Sequence, residues 1–344
     1  MTVDTNRQWV LARRPRGELT RDCFELRTSP RPAPGAKEVL VRVHWLGIDP
    51  TQRGWLNAGP NYRSPIALGE VIRGAGVGEV VESDDPSLPA GTWVYGELGW
   101  QDYAVGTGGG LFGVNPVPPG IEPRMMLGLF GTTGLTAYFG MVDVGRPEAG
   151  DTVVVSAAAG ATGSVAAQIA RALGSRVIGI AGGERKCRWA VEVAGMDACI
   201  DHTSADVAAE LARLAPDGID VYFDNVGGVL LEAALANLAL RARIVVCGGI
   251  SSGYDGDDPA RGPRNHLQIG LRRARMEGFV FLDHVDRFPE ALGRLAAWSA
   301  SGDIVLEESV AEGLEQAPSA LAGLFHGRNL GKQLVRVQAA PTAP

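Results

Sequence analysis

The residues richest in chemical content lie at Val153–Gly163, which reads VVVSAAAGATG. A short Val-rich run leads into Ala157-x-x-Gly160-x-x-Gly163 and then directly into the helical pattern Ser164–Leu173. A turn of this kind leaves amide N–H groups open at a helix start, where they attract a pyrophosphate. Gly160 permits close approach of the backbone, and Gly163 lets helix pack on strand. Ala161 and Thr162 complete the turn, and Ala157 stands where the first glycine usually falls. With a strand before it and a helix after it, the spacing points to dinucleotide binding. A purely structural glycine turn is the alternative.

The kind of dinucleotide is read at the end of the next strand. An NAD site usually places Asp or Glu there, on the ribose 2′-hydroxyl. Here the strand Arg176–Ala181 ends on Gly182-Gly183 with no carboxylate, and Arg185, Lys186 and Arg188 follow, with Glu184 beyond the glycines. Basic groups attract a 2′-phosphate and a carboxylate would repel it, so the expected cofactor is NADPH. A solvated helix start would account for the same three cations. Further on, Asp224-Asn225-Val226-Gly227-Gly228 closes another strand. Ligands of open α/β sheets sit at the carboxyl ends of strands, so Asn225 is expected to bond ribose.

These residues need elements to hold them. Strands are expected at Val39–Ile48, Gly76–Glu82, Thr92–Gly96 and Asp102–Val105, with Gly and Pro between them, the pattern of a small β-barrel. Pro123–Asp143 has helical spacing, interrupted by Gly131–Gly134. Strands at Thr152–Ser156, Arg176–Ala181, Ala198–Asp201, Val221–Asn225 and Ala242–Cys247 then alternate with helices at Ser164–Leu173, Arg185–Ala194, Asp206–Ala215 and Leu230–Leu240. That alternation implies βαβ units and a parallel sheet. Ser251–Asn265 reads as a long loop, Gly278–Leu282 as a strand, Phe288–Ser301 as a helix and Gly331–Val337 as a last strand.

Composition narrows the classes. The 344 residues suit about two domains. Apolar residues make up 45% and charged residues 21%, ordinary globular usage that excludes wholesale disorder. A net charge of −7 argues against a nucleic-acid partner. Four cysteines without C-x-x-C spacing imply reduced thiols and a cytoplasmic location. No run is long enough for a membrane span, and no membrane partner is expected.

VVVSAAAGATGSVAAQIA, GIAGGERKC, IDVYFDNVGG, GLTAYFG, IDPTQRGW, LGEVIRGAGVGEVV and NLGK together resemble the medium-chain dehydrogenase/reductase superfamily. More narrowly, they are similar to its zinc-free prostaglandin reductase branch, also called leukotriene 12-hydroxydehydrogenase or alkenal double-bond reductase. The resemblance spans nearly the whole chain. It implies an α/β fold made of a GroES-like β-barrel domain (1–122 and 306–344) and a Rossmann doubly wound parallel sheet (123–305). It also implies NADPH-dependent reduction of a C=C bond conjugated to a carbonyl. Carried over by position, Gly160 and Gly163 meet the pyrophosphate, Gly183 and Lys186 border the 2′-phosphate, Asn225 meets the ribose, Asn329 lies near the nicotinamide, and Thr133 borders the cofactor. The family's GG-x-EKC is here GGERKC. Its IDY is Ile200-Asp201-His202, so His202 takes the place of a 2′-phosphate tyrosine. Thr51 replaces a pocket tyrosine. Where zinc relatives carry a His in a GHE segment, this chain reads Gly69-Glu70-Val71, and no metal is expected.

Reduction of an enone or enal needs a donor at the carbonyl oxygen as charge develops there. The implied candidates are Tyr254 on the long loop and Tyr62 in NYRSP, and each can equally be an apolar pocket wall. The expected partner is a small apolar enone or enal. A quinone reductase on the same scaffold is the runner-up, and a non-catalytic NADPH-binding protein a third reading. Arg275–His284 includes a strand that could extend the sheet across a two-fold axis, so a homodimer is expected.

Overall fold

The computed structural model describes residues 5–59, 61–251 and 262–338. The chain opens with an antiparallel ribbon of β1 (Thr5–Leu11) and β2 (Phe24–Pro30). The barrel strands β3 (Glu38–Ile48), β4 (Gly76–Ser83), β5 (Trp93–Gly96), β6 (Tyr103–Thr107) and β7 (Asn115–Pro116) follow, and helix α1 (Thr51–Trp55) sits directly after β3. Strand β3 holds the barrel together because its apolar residues fall on the core side. Val39, Val41, Val43, Leu46 and Ile48 are all buried, and a bulge between Val43 and Trp45 keeps the last two facing inward.

Helix α2 (Thr132–Phe139) leads into the second half. The interruption expected at Gly131–Gly134 falls a little earlier: a 3₁₀ helix at Pro123–Leu127 ends on Gly128, Gly131 caps α2, and Gly134 lies within it. A side chain at Gly134 would strike the Leu129 carbonyl, so glycine allows the preceding turn to close on the helix.

Six parallel strands form the second sheet: β8 (Thr152–Ser156), β9 (Arg176–Ala181), β10 (Ala198–Asp201), β11 (Ile219–Asp224), β12 (Leu238–Val246) and β13 (Arg275–Gly278). Their spatial order is β10-β9-β8-β11-β12-β13. Helices α3 (Ala161–Ala172), α4 (Glu184–Glu192), α5 (Val207–Leu214), α6 (Gly228–Ala236) and α7 (Leu267–Leu271) connect them, and α8 (Phe288–Ala300) follows β13. Val153 and Val155 of β8 face the core shared with α2 and α3, while Val154 faces the core under α5 and α6. Both sides of the strand are covered, which explains its unbroken Val run. The order reverses between β8 and β11, and this opens a crevice at their carboxyl ends.

The chain then returns to the barrel. Strand β14 (Glu308–Glu312) pairs parallel with β15 (Lys332–Arg336), which pairs antiparallel with β3. Between them α9 (Ala317–Phe325) sends Leu321 and Leu324 into the barrel core beside Leu314. Each such leucine contributes about 1.5–3 kcal/mol by burial. The returning segment is anchored by Gln168 of α3, itself buried. Its Nε2 donates to the Val305 carbonyl at 3.0 Å and its Oε1 accepts from the Val305 N–H at 2.8 Å.

Two more expectations need correction. Helix α6 ends at Ala236 and β12 begins at Leu238, so Leu238–Leu240 are strand and not helix. The strand expected at Gly278–Leu282 lies earlier, at Arg275–Gly278, and Phe281–Arg287 winds as a 3₁₀ helix. The Phe279 and Phe281 rings pack against the core under α2 and α8, and Phe281 stacks on Phe288 at 5.8 Å.

Candidate functional site

The glycine turn occupies the crevice. Gly160 caps α3 in an extended conformation, so the first amides of that helix point outward without helical partners. A side chain at Gly163 would overlap the Ala157 carbonyl oxygen, so only glycine lets α3 start this close to β8. Ala157 has φ +49°, a left-handed conformation that disfavours alanine. It therefore does the work of the missing first glycine at a cost of about 1–2 kcal/mol. Its carbonyl accepts the Gly160 N–H at 2.8 Å.

Asn225 lies at the end of β11, beside this turn. Its Nδ2 donates to the Ser156 carbonyl at 2.7 Å, and its backbone N–H donates to Ser156 Oγ at 2.8 Å. Its amide orientation is thereby set, and Oδ1 is the atom left to meet a ligand hydroxyl. Behind it is a group that sequence reading missed. Asp224 is buried, and its Oδ1 accepts from Ser156 Oγ, Tyr222 OH and the N–H groups of Val226 and Gly227, at 2.9–3.2 Å. Burial pushes this carboxyl up from its ordinary value, against the pull of those donors. Asp224 ties the β11 end to the turn. The Asp followed by Asn-Val-Gly-Gly was the available signal, because such an Asp bonds N–H groups two or three residues on.

At the β9 end Gly183 has φ +89° and starts α4. The strand end carries no carboxylate, but Asp201 at the end of β10 lies close by. Its Oδ1 accepts from the Gly183 N–H at 2.8 Å, the Thr203 N–H at 3.0 Å and Thr203 Oγ1 at 2.7 Å. These bonds hold its carboxyl down at about 2. The carboxylate is thus engaged in shaping the loop. Lys186 is half-buried, and its Nζ donates to the Gly327 carbonyl at 2.7 Å. Burial, reinforced by Arg185, lowers its pKa. His202 is exposed, with Nε2 lying 3.0 Å from where a side chain on Gly182 would begin. Lys186 and His202 therefore flank one loop mouth.

The returning segment closes the other side. The Gly331 N–H donates to the Ala159 carbonyl at 2.8 Å, and Gly331 bridges Gly160. Asn329 Nδ2 donates to the Gly331 carbonyl at 2.8 Å, within reach of the glycine turn. Lys332 is buried, and its Nζ donates to Asp49 Oδ1 at 2.5 Å. Asp49 opens the Asp49–Trp55 stretch that includes Thr51. Thr51 Oγ1 and Tyr62 OH share a hydrogen bond at 2.5 Å, and Tyr62 is otherwise exposed. Thr133 is buried at the start of α2, and its Oγ1 has no partner among the described residues. Tyr254 lies outside the described residues.

The structure thus brings Ala157, Gly160, Ala161, Thr162, Gly163, Asn225 and Asn329 to one crevice, and Gly183, Lys186 and His202 to its far end. A buried orphan hydroxyl, a cluster of free amides, a carboxylate-free β9 end and a nearby ammonium fit a phosphorylated dinucleotide. Among the described residues no group of three His, Cys, Asp or Glu could hold a metal ion.

A doubly wound sheet carrying this turn, joined to a GroES-like barrel, defines a two-domain nicotinamide-dependent oxidoreductase. Residues 7–114 match the family described as the N-terminal domain of oxidoreductase, and residues 161–297 match zinc-binding dehydrogenase. The chain is 40% identical over 337 residues to the NADPH-dependent curcumin reductase of Escherichia coli, covering 96% of this chain and 97% of that one. It is 39% identical over 306 residues to the 2-alkenal reductase (NADP(+)-dependent) of Nicotiana tabacum, covering 88% of each. The crystal structure of CurA in complex with NADPH from Vibrio vulnificus matches with a TM-score of 0.91 at 41% identity, over 97% of this chain and 100% of that one. The chain belongs to the medium-chain dehydrogenase/reductase family, in the zinc-free branch of the prostaglandin and alkenal reductases.

Proposed function

We propose that this protein is an NADPH-dependent reductase of the C=C bond of α,β-unsaturated aldehydes and ketones. The observation that carries the reading is full-length likeness to reductases of this kind, with the glycine turn and its neighbours in place. When bound, NADPH supplies the hydride that goes to the β-carbon of the substrate. The chain's own residues do the rest. The first amides of α3 hold the pyrophosphate, Lys186 and His202 hold the 2′-phosphate, and Asn225 Oδ1 accepts from ribose. Asn329 and Thr133 orient the nicotinamide end. The barrel side excludes water and holds the substrate against it.

As the hydride arrives, negative charge grows on the carbonyl oxygen, and a hydroxyl donor there lowers the barrier. Tyr254 and Tyr62 are the proposed donors. The Thr51 hydrogen bond supports Tyr62, since it orients the phenol and gives it a polar neighbour. A proton from water then completes the saturated product at the α-carbon.

We also infer a cytoplasmic homodimer that works without zinc. The outer edge of β13 is unpaired among the described residues, and Leu267 and Leu271 beside it are exposed. Covering that edge with a second copy would satisfy both.

The test is NADPH oxidation with a medium-chain 2-alkenal, run beside NADH, beside a quinone and with a chelator. The expected result is a saturated carbonyl product, a preference for NADPH and no loss to the chelator. Activity confined to the quinone would overturn the reading.

A further inference from the structure

Two thiols that the reduction does not use lie against the 2′-phosphate end of the site. Cys187 stands in the first turn of α4, next to Lys186, and Cys199 lies on β10, two residues before Asp201. Their sulfurs are 2.9 Å apart, with the Cys199 S–H donating to Cys187 Sγ. Both residues are half-buried. A disulfide needs sulfurs at about 2.05 Å, so less than an ångström of closure separates the pair from a bond. The other two cysteines have no such neighbour: Cys23 is buried in the barrel core, and Cys247 lies near Asp224. Burial raises the Cys187 thiol too, and the hydrogen bond from Cys199 pulls it part of the way back.

We propose that Cys187 and Cys199 form a redox modification site that takes a peroxide as oxidant and closes into an intramolecular disulfide. The Cys187 thiolate attacks the peroxide, breaks its O–O bond and becomes a sulfenic acid, with one alcohol or water released. The hydrogen bond from Cys199 makes Cys187 the better placed of the two to hold the negative charge. Cys199 sulfur then attacks Cys187 Sγ and expels water. In sum, two thiols and one peroxide give one disulfide, one water and one alcohol or second water. A dithiol reductant reverses the change.

The bond would join α4 to β10, which the Gly183 N–H to Asp201 contact already ties at the same end. Closure moves the turn that carries Gly183 and Lys186, so it changes the affinity for NADPH and leaves that for NADH nearly unchanged. This second consequence rests on the assignment of the 2′-phosphate to Lys186, whereas disulfide formation does not.

The experiment treats the full chain with hydrogen peroxide and maps peptides by mass. The expected result is a Cys187–Cys199 cross-link that dithiothreitol removes. It persists in Cys23→Ser and Cys247→Ser and is lost in Cys187→Ser and Cys199→Ser. NADPH affinity, read by fluorescence, should shift by roughly fivefold or more between oxidised and reduced protein, with no shift in Cys199→Ser. Over-oxidation of single thiols without a cross-link would overturn the modification site. A cross-link with unchanged NADPH affinity would overturn the coupling alone.

Discussion

Lys332 and Asp49 lie 283 positions apart in the chain, yet Nζ of one donates to Oδ1 of the other at 2.5 Å. Lys332 follows Gly331, which is bonded to the glycine turn, and Asp49 precedes Thr51, which is bonded to Tyr62. One ion pair thus links the floor of the cofactor crevice to the barrel loop carrying a proposed donor. Replacing Lys332 with Met leaves a partly buried carboxylate without its cation. The expected loss is about 2 kcal/mol, less than for a fully buried pair because Asp49 keeps some water. Denaturant titration measures it, and an unchanged midpoint would refute it.

Lys186 is expected to discriminate between cofactors. Removing it in Lys186→Ala takes away a charge-assisted bond worth about 1.5–3 kcal/mol. The KM for NADPH should rise roughly ten- to a hundredfold, while the KM for NADH stays close to its original value. Equal losses with both cofactors would mean that the lysine matters only through Gly327.

At the turn, Ala157 and Gly163 should respond in opposite directions. Ala157→Gly removes left-handed strain and should raise stability by about 1 kcal/mol. Gly163→Ala places a methyl on the Ala157 carbonyl and should lower the melting temperature and abolish NADPH binding together. Thermal melts with and without NADPH separate the two effects.

The proposed donors can be tested individually. Tyr62→Phe or Tyr254→Phe should lower kcat by roughly a hundredfold if that phenol meets the carbonyl oxygen, with little change in NADPH affinity. Full kcat/KM in both variants on a good enone would remove tyrosine from the mechanism.

Asp201 makes a prediction about acid. Its carboxyl is held down at about 2 by Thr203 and the Gly183 N–H, below the ordinary value in an unfolded chain. A depressed carboxyl contributes stability above its unfolded pKa and loses it as pH falls through the folded one. The stability gap between wild type and Asp201→Asn should therefore be constant above about pH 5 and shrink between about pH 4 and pH 2. A gap that widens in acid would contradict the assignment.

Much of this was visible in local pattern. Strands β3, β8 and β9 announce themselves through Val and Ile, and the glycine turn through its spacing. The α6–β12 boundary was not, because Leu238-Ala239-Leu240 suits a helix as well as a strand, and only pairing along β11 decides it. Gly278–Leu282 reads as a strand by its apolar run, but Phe279 and Phe281 are partly buried against the core under α2 and α8, with Phe281 stacked on Phe288, and not held in a ladder. The bonds of Asp224 to the Val226 and Gly227 N–H groups are local and carry a sequence signal, whereas its pairing with Ser156 is illegible because it depends on a contact between β8 and β11 across 68 residues. Tyr62 stands out by its residue type, whereas nothing in the sequence pairs it with Thr51, eleven positions earlier.

The polypeptide passes from barrel to parallel sheet after β7 and back again before β14. A single passage would leave the two halves like beads on a string, free to swivel in any direction. Two passages act like a pair of door pins, and the Val305 clasp on Gln168 together with the Gly331 seat on Ala159 sets them side by side. A ligand lying in the crevice between the glycine turn and the returning segment therefore meets both halves at once.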